Sequence, residues 1–148
     1  MVIIMRMYYV FELKDDIVSL YKSSPVSLFK ILNSIYYMQK EEIDYGFSIF
    51  KQLNNKIDVS RLNNHLYILL HKDLVYSKID DEHIINDLYN DEVSILKVRN
   101  SHIIIQSNKS YTSFLKILYN YNKNYFVCDF KEKDFFFIGD IVKYEKVR

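Results

Sequence analysis

The histidines and the single cysteine are the residues best able to bind a metal or support catalysis. The histidines form neither the His-x-x-x-His nor the His-Glu-x-x-His pattern of helical metal sites; they are His65, His71, His83 and His102. Asp81, Glu82 and His83 carry metal-capable side chains, but adjacent residues point apart on the short helix that we predict there. The sequence therefore predicts a solvated helix start and no metal site.

Cys128 and Asp129 form the other pair that could do chemistry. They lie in a strand-like run, where adjacent side chains face opposite sides of a sheet, so Asp129 is not placed to activate the thiol. With two glycines in the chain, there is also no glycine-rich phosphate loop. Because no set of polar residues converges, we predict a buried structural cysteine in a protein that is not an enzyme and needs no cofactor.

Composition and charge limit the class of partner. The 148 residues carry a formal net charge of +1, with basic and acidic residues interspersed, so no basic stripe for nucleic acid is present. One cysteine excludes an internal disulfide framework and indicates a reducing compartment. No apolar run approaches the roughly 18 residues of a membrane span. We expect a single cytoplasmic domain that binds neither nucleic acid, membrane nor small-molecule substrate.

The segment Met7–Tyr21 changes its hydrophobic period in the middle. Its first half, to Leu13, is β-branched and aromatic and predicts a strand. Asp15 or Asp16 then supplies a capping oxygen for a short helix. On that helix Ile17 and Tyr21 lie one above the other, with Leu20 beside them and Val18 pointing away. A short helix that is apolar on more than one side packs on its own core and has apolar surface left for a partner.

The rest of the chain predicts an α+β domain. Three helices follow the first: from Ser24-Pro25 to about Met38, from about Glu41 to Leu53, and from Asp58 or Ser60 to about Lys72. In the third helix, Ile43, Phe47, Phe50 and Leu53 recur at helical spacing. Gly46, inside it, costs about 1 kcal/mol relative to alanine and permits close approach of another backbone.

The second half reads mainly as strands joined by short loops. Leu74–Tyr76 could be a short strand. After it we predict a short capped helix from Asp80 to Tyr89, a hairpin of Glu92–Val98 with His102–Gln106, a helix capped within Ser107–Ser110, and strands at Tyr125–Phe130 and Phe135–Ile138. The expected architecture is a mainly antiparallel four- to five-stranded sheet packed with four to five helices, with the opening strand pairing inside the sheet.

Several motifs along nearly the whole chain resemble one family, the sporulation inhibitor of replication (SirA) family. The motifs are Tyr8-Tyr9-x-Phe11 followed by Lys14 and an acidic pair, the apolar helix to Tyr21, Leu28-Phe29, Phe126-x-x-Asp129-Phe130-x-x-Lys133, and Gly139. Against this pattern, Met1–Arg6 is either an N-terminal extension or an early part of the first strand.

The resemblance implies a stoichiometric inhibitor without a cofactor. It implies binding to the N-terminal domain of the replication initiator DnaA, which prevents productive assembly at the chromosome origin during spore development. The family's contact surface, carried onto this chain, includes Ile17, Leu20 and Tyr21 of the first helix, and Lys51 and Gln52 on the exposed side of the third. The family has an aromatic residue where this chain has Ile17, which implies less ring area in the contact.

Two alternatives remain open from the sequence. The protein could be an interaction domain for a different cytosolic partner, since family membership does not determine the partner in every species. Ile17 and Tyr21 could also be ordinary core residues that pack on the sheet or the second helix, as their helical spacing alone would favour.

Overall fold

A seven-stranded sheet lies between two layers of helices in the computed structural model of the protein, which describes residues 5–141. Within these residues there are five α-helices. The elements, in chain order, are β1 Arg6–Glu12, α1 Asp15–Tyr21, α2 Pro25–Tyr36, a 3₁₀ turn Lys40–Glu42, α3 Ile43–Leu53, α4 Val59–Leu70, β2 Tyr76–Ile79, β3 Glu82–Asp87, β4 Glu92–Val98, β5 Ile103–Ser107, α5 Ser113–Tyr121, β6 Tyr125–Asp129, β7 Asp134–Phe137 and a 3₁₀ turn Ile138–Asp140.

The sheet has the strand order β2-β3-β4-β5-β1-β6-β7, and every pairing is antiparallel. The opening strand β1 lies inside it, as predicted, between β5 and β6. Tyr8 faces Ile105 on one side, and Val10 faces Val127 on the other. Because β1 is paired along both edges, the position of the helix that follows it is anchored to the middle of the sheet.

Alternation along the strands produces two separate cores. Tyr8 and Val10 belong to the first core, between the sheet and helices α4 and α5. Phe11 and Leu13 belong to the second core, between the sheet and helices α1, α2 and α3. The predicted α+β class is therefore confirmed, and the three N-terminal helices form one layer over β1, β6 and β7.

The sheet has more strands than predicted because the helix expected over Asp80–Tyr89 is a strand. In β3, His83 and Ile85 are buried while Ile84 between them is only half-buried, which is a period of two. Ile84 pairs with Ile95 of β4, and β2 joins β3 through a tight turn in which Asp80 has φ 54°. Aspartate tolerates that left-handed conformation, so the acidic residues make a hairpin turn and cap no helix.

Helix α3 begins close to the predicted position but buries less than its spacing predicts. Leu53 is buried, whereas Ile43 and Phe47 are each 53% exposed. The close approach predicted at Gly46 is real, but its partner is a side chain and not a backbone. A Cβ at Gly46 would collide with the sulfur of Met38.

Arg6, the first residue of β1, joins that strand to the β6–β7 hairpin; Met1–Ile4 lie outside the described residues. Its Nε donates to Asp129 at 3.0 Å and its Nη2 to Asp134 at 3.3 Å. Asp129 is only 2% exposed, so this pair holds a carboxylate that water hardly reaches.

We expect Arg6→Ala to lower the free energy of unfolding by about 2 kcal/mol, because it leaves the Asp129 carboxylate buried without its cation. Urea unfolding would measure the loss. Asp134→Ala, which removes the 44%-exposed partner of the same arginine, is the matched control and should cost under about 1 kcal/mol. Equal losses in the two variants would contradict this account.

Candidate partner-binding surface

Helix α1 is held in place at its first residues. The Lys14 N–H donates to the Leu53 carbonyl at the end of α3, at 3.0 Å. Lys14, and not an aspartate, is the N-cap residue, and its side chain makes no cap bond. Asp15 and Asp16 lie in the first turn, where their negative charges interact favourably with the helix dipole. Asp15 also accepts a hydrogen bond from Asn124. The start of α1 is therefore fixed against both α3 and the loop before β6.

The side chains of α1 are divided between core and solvent. Ile17, Val18 and Tyr21 are half-buried and pack against the second core, while Leu20 is 67% exposed. None of the seven residues of α1 is buried. Ile17 and Tyr21 therefore contact the core and keep an accessible portion, and their contact with a partner stays a prediction.

The predicted residues of α3 lie near the same joint. Lys51 and Gln52 are exposed and immediately precede Leu53, whose carbonyl bonds Lys14. The Lys51 ammonium lies over the Phe47 ring, 4.5 Å from its centroid, a cation–π contact that directs it back along α3. The structure therefore brings the end of α3 to the start of α1. The Lys51 ammonium already contacts the Phe47 ring of its own helix.

Sequence reasoning missed further apolar residues on α3. Tyr45 is 68% exposed and Phe47 53% exposed, although Phe47 was assigned to the core face. The signal was present, because apolar residues occur on more than one side of this helix, as they do on α1. Exposed aromatic side chains are the type enriched in protein interfaces.

The structure gives the chemically capable side chains structural roles. Cys128 is buried in the second core, and burial raises the pKa of its thiol well above the ordinary value. His83, also buried, is hydrogen-bonded to Tyr76 and Asn63. Among residues 5–141, no three His, Cys, Asp or Glu side chains are grouped so that they could hold a metal ion.

The comparison with protein families identifies the chain. The model of the family described as "Sporulation inhibitor of replication protein SirA" matches residues 6–141. This chain belongs to the SirA family. No curated protein matches it. The family description names an inhibitor of replication in sporulation, which is a regulatory role and not a catalytic one.

Five aromatic residues that carry the SirA resemblance lie inside the protein. Tyr8, Phe11, Phe29, Phe126 and Phe130 are all buried in one of the two cores. These buried residues therefore match the family because they build the core of the fold. The α1 and α3 residues assigned to partner contact lie outside the buried part of the pattern.

Between residues 5 and 141, none of the helices of this protein has the length and apolarity needed to cross a membrane.

Proposed function

We propose that this SirA-family protein inhibits initiation of chromosome replication by binding the N-terminal domain of DnaA in the cytoplasm. Bound initiator then cannot assemble productively at the origin. The protein acts by occupying a surface, in a one-to-one complex, and its own residues carry out no chemical step. Family membership over residues 6–141 supports the inhibitory role. The choice of DnaA and of the surface rests on the sequence resemblance and on the geometry of α1.

The observation that supports this surface best is the exposure of α1. Leu20 is 67% exposed on a helix that buries none of its residues, and Ile17 and Tyr21 flank it with partly accessible apolar side chains. The backbone hydrogen bond between Lys14 and Leu53 joins the start of this helix to the end of α3. A pre-positioned apolar helix loses little conformational entropy on binding, and a contact of about 800 Å² per partner would extend from α1 to Lys51 and Gln52.

The first test is complex formation between the purified protein and the DnaA N-terminal domain of the same organism. Tyr21→Ala is expected to weaken the complex by about thirtyfold, or roughly 2 kcal/mol, because an aromatic ring near the centre of an interface is lost. Isothermal calorimetry gives the affinity. Tyr89→Ala, a matched change at a 97%-exposed tyrosine in the β3–β4 turn, should bind like the unmodified protein.

A second variant separates binding from folding. Leu20→Asp places a charge on the most exposed apolar residue of α1 and should abolish binding while changing stability by less than about 0.5 kcal/mol. If Tyr21→Ala unfolds and Leu20→Asp still binds, the surface on α1 is wrong. If the unmodified protein forms no complex with DnaA, the proposed function fails and a different protein partner is favoured.

A further inference from the structure

A cavity of about 360 Å³ opens between helices α2 and α3 and the second-core face of the sheet. Phe11 of β1 and Phe130, which follows β6, contribute its buried aromatic side chains, and Leu32 of α2 is buried beside them. Ile43 and Phe47, each about half exposed, border it from α3. The cavity therefore connects solvent with the aromatic interior of the second core.

Gly46 helps to define this cavity. It is buried on α3, and the side chain of Met38 occupies the space that a Cβ at this position would need. Both residues line the cavity. Met38 lies in the connection after α2, and its flexible thioether can adjust to an occupant.

Charge complementarity indicates what kind of molecule fits. None of the residues that line the cavity, all of them within the described part of the chain, carries a formal charge at neutral pH. Burial and the nearby Arg99 lower the pKa of His102, so its imidazole is neutral. A charged ligand would lose its hydration here without gaining a counter-ion, so the cavity disfavours it.

The cavity also has a small set of polar groups at one place. Ser101 and His102 lie side by side in the β4–β5 loop, with Ser101 Oγ 2.7 Å from His102 Nδ1. When the hydroxyl donates to Nδ1, the proton of the neutral ring is on Nε2. Among the hydrogen bonds of residues 5–141, none engages that Nε2. In that tautomer Nε2 is an unengaged donor on a wall whose other side chains are mainly apolar, apart from the hydroxyls of Tyr9 and Tyr36, which lie 3.3 Å from each other.

We propose that this cavity binds a small uncharged molecule with a planar aromatic body, one hydrogen-bond acceptor of which meets Nε2 of His102. The volume lies within the range of small-molecule sites, which are mostly apolar with a few polar groups that orient the ligand. Water is a poor occupant, because it needs several polar partners and the cavity walls supply few. This proposal is independent of DnaA binding, since it concerns the protein alone.

Prodan is a suitable probe, because it is an uncharged naphthalene with a carbonyl acceptor, and its emission shifts to the blue in an apolar site. We expect saturable one-to-one binding with a blue shift. The anionic dye 1-anilinonaphthalene-8-sulfonate, of similar size, should bind at least tenfold more weakly. Equal binding of the two dyes would show a nonspecific apolar patch and would overturn the proposal.

Ile35→Phe tests the location, because Ile35 lines the cavity from α2 and a larger ring would fill it. Prodan affinity should fall at least tenfold while the melting temperature stays the same or rises. The matched control is Ile68→Phe, at a 62%-exposed position on α4, in the other helix layer, and it should leave affinity unchanged. If Ile35→Phe does not fold, Phe47→Ala at the half-exposed mouth should weaken prodan by the same order.

Further outcomes decide between occupants. His102→Phe retains the ring but removes the donor, so prodan should bind several-fold more weakly, whereas naphthalene, which has no acceptor, should bind equally well to both proteins. No saturable prodan binding, or binding that Ile35→Phe leaves unchanged, would overturn the proposal. Stoichiometric displacement of prodan by the DnaA N-terminal domain would assign the cavity to a partner side chain and would also overturn it.

Discussion

Glu92→Ala is expected to lower the free energy of unfolding by about 3 kcal/mol. The Glu92 carboxylate is 3% exposed and accepts hydrogen bonds from the hydroxyls of Ser94 and Ser113 and from the Ser113 backbone N–H. Ser113 is the first residue of α5, so this carboxylate also neutralises the positive end of that helix. Its loss leaves the buried Ser94 hydroxyl without its acceptor, whereas the two donors of Ser113 belong to an exposed residue and can bond to water.

The buried hydroxyls of Ser94 and Ser107 both depend on that carboxylate. Ser94 donates to Glu92, so Ser107, 2.8 Å from Ser94 Oγ, must donate to Ser94, while the Lys109 N–H donates to Ser107. Each donor in this series of hydrogen bonds has an acceptor only when a carboxylate stands at its end. Urea unfolding is the measurement, and Glu132→Ala in the exposed β6–β7 turn is the matched control, expected within about 0.5 kcal/mol of the unmodified protein. A loss under 1 kcal/mol for Glu92→Ala would contradict the network.

His83 should make the protein sensitive to acid. Burial, and then the Lys78 charge opposite it on β2, lower the pKa of His83 from 6.5 to about 4, against a smaller opposing effect of Asp81. Its ring is neutral in the fold: Nε2 donates to Asn63 Oδ1 at 2.8 Å, so Nδ1 accepts from the Tyr76 hydroxyl at 2.8 Å. A second proton on this ring would create a buried positive charge.

The sign of the pH effect follows from that lowered pKa. Well above pH 6.5 neither state is protonated at His83, and its full contribution to stability is present. As the pH falls from 6.5 towards 4, the unfolded chain takes up a proton that the folded chain does not. The protonation of His83 should therefore lower the free energy of unfolding by about 3 kcal/mol. Below pH 4 both states bind the proton, so His83 lowers the stability no further.

His83→Gln tests this prediction by removing the titrating group. The stability difference between the unmodified protein and this variant should shrink by about 3 kcal/mol between pH 6.5 and pH 4. Leu88→Gln, at an 89%-exposed position without an ionisable group, is the control and should leave the pH dependence unchanged. The pKa of His102 is also lowered, so the difference between proteins must be compared rather than the total acid loss. An NMR titration in which His83 protonates near pH 6.5 would contradict the prediction.

The proposed binding surface was accessible to sequence reasoning only in part. The apolar character of Ile17, Leu20 and Tyr21 follows from residue types, and their common side follows from helical geometry. Their exposure does not, because it depends on how closely α2 and α3 cover α1. The same limit explains Phe47, which has the spacing of a core residue but lies at the mouth of a cavity.

The cavity could not be predicted from any stretch of the chain. Its lining comes from β1, α2, α3, the β4–β5 loop and Phe130 after β6, and each stretch alone has an ordinary apolar pattern. The free space arises where these surfaces fail to meet. The expectation that no small-molecule substrate is bound was reached from motifs, and motifs carry no information on unfilled volume.

The local features and the family follow from the amino-acid sequence. Pro25 and Asp58 mark helix starts at the predicted places, the hairpins β4–β5 and β6–β7 follow from strand-like runs and short loops, and the family match covers residues 6–141. The tertiary structure alone decided that β3 is a strand, that α1 stays half-exposed and that a cavity remains beside α3. Local patterns depend on neighbours within a few residues, whereas pairing, burial and empty space depend on distant segments that meet only in the folded chain.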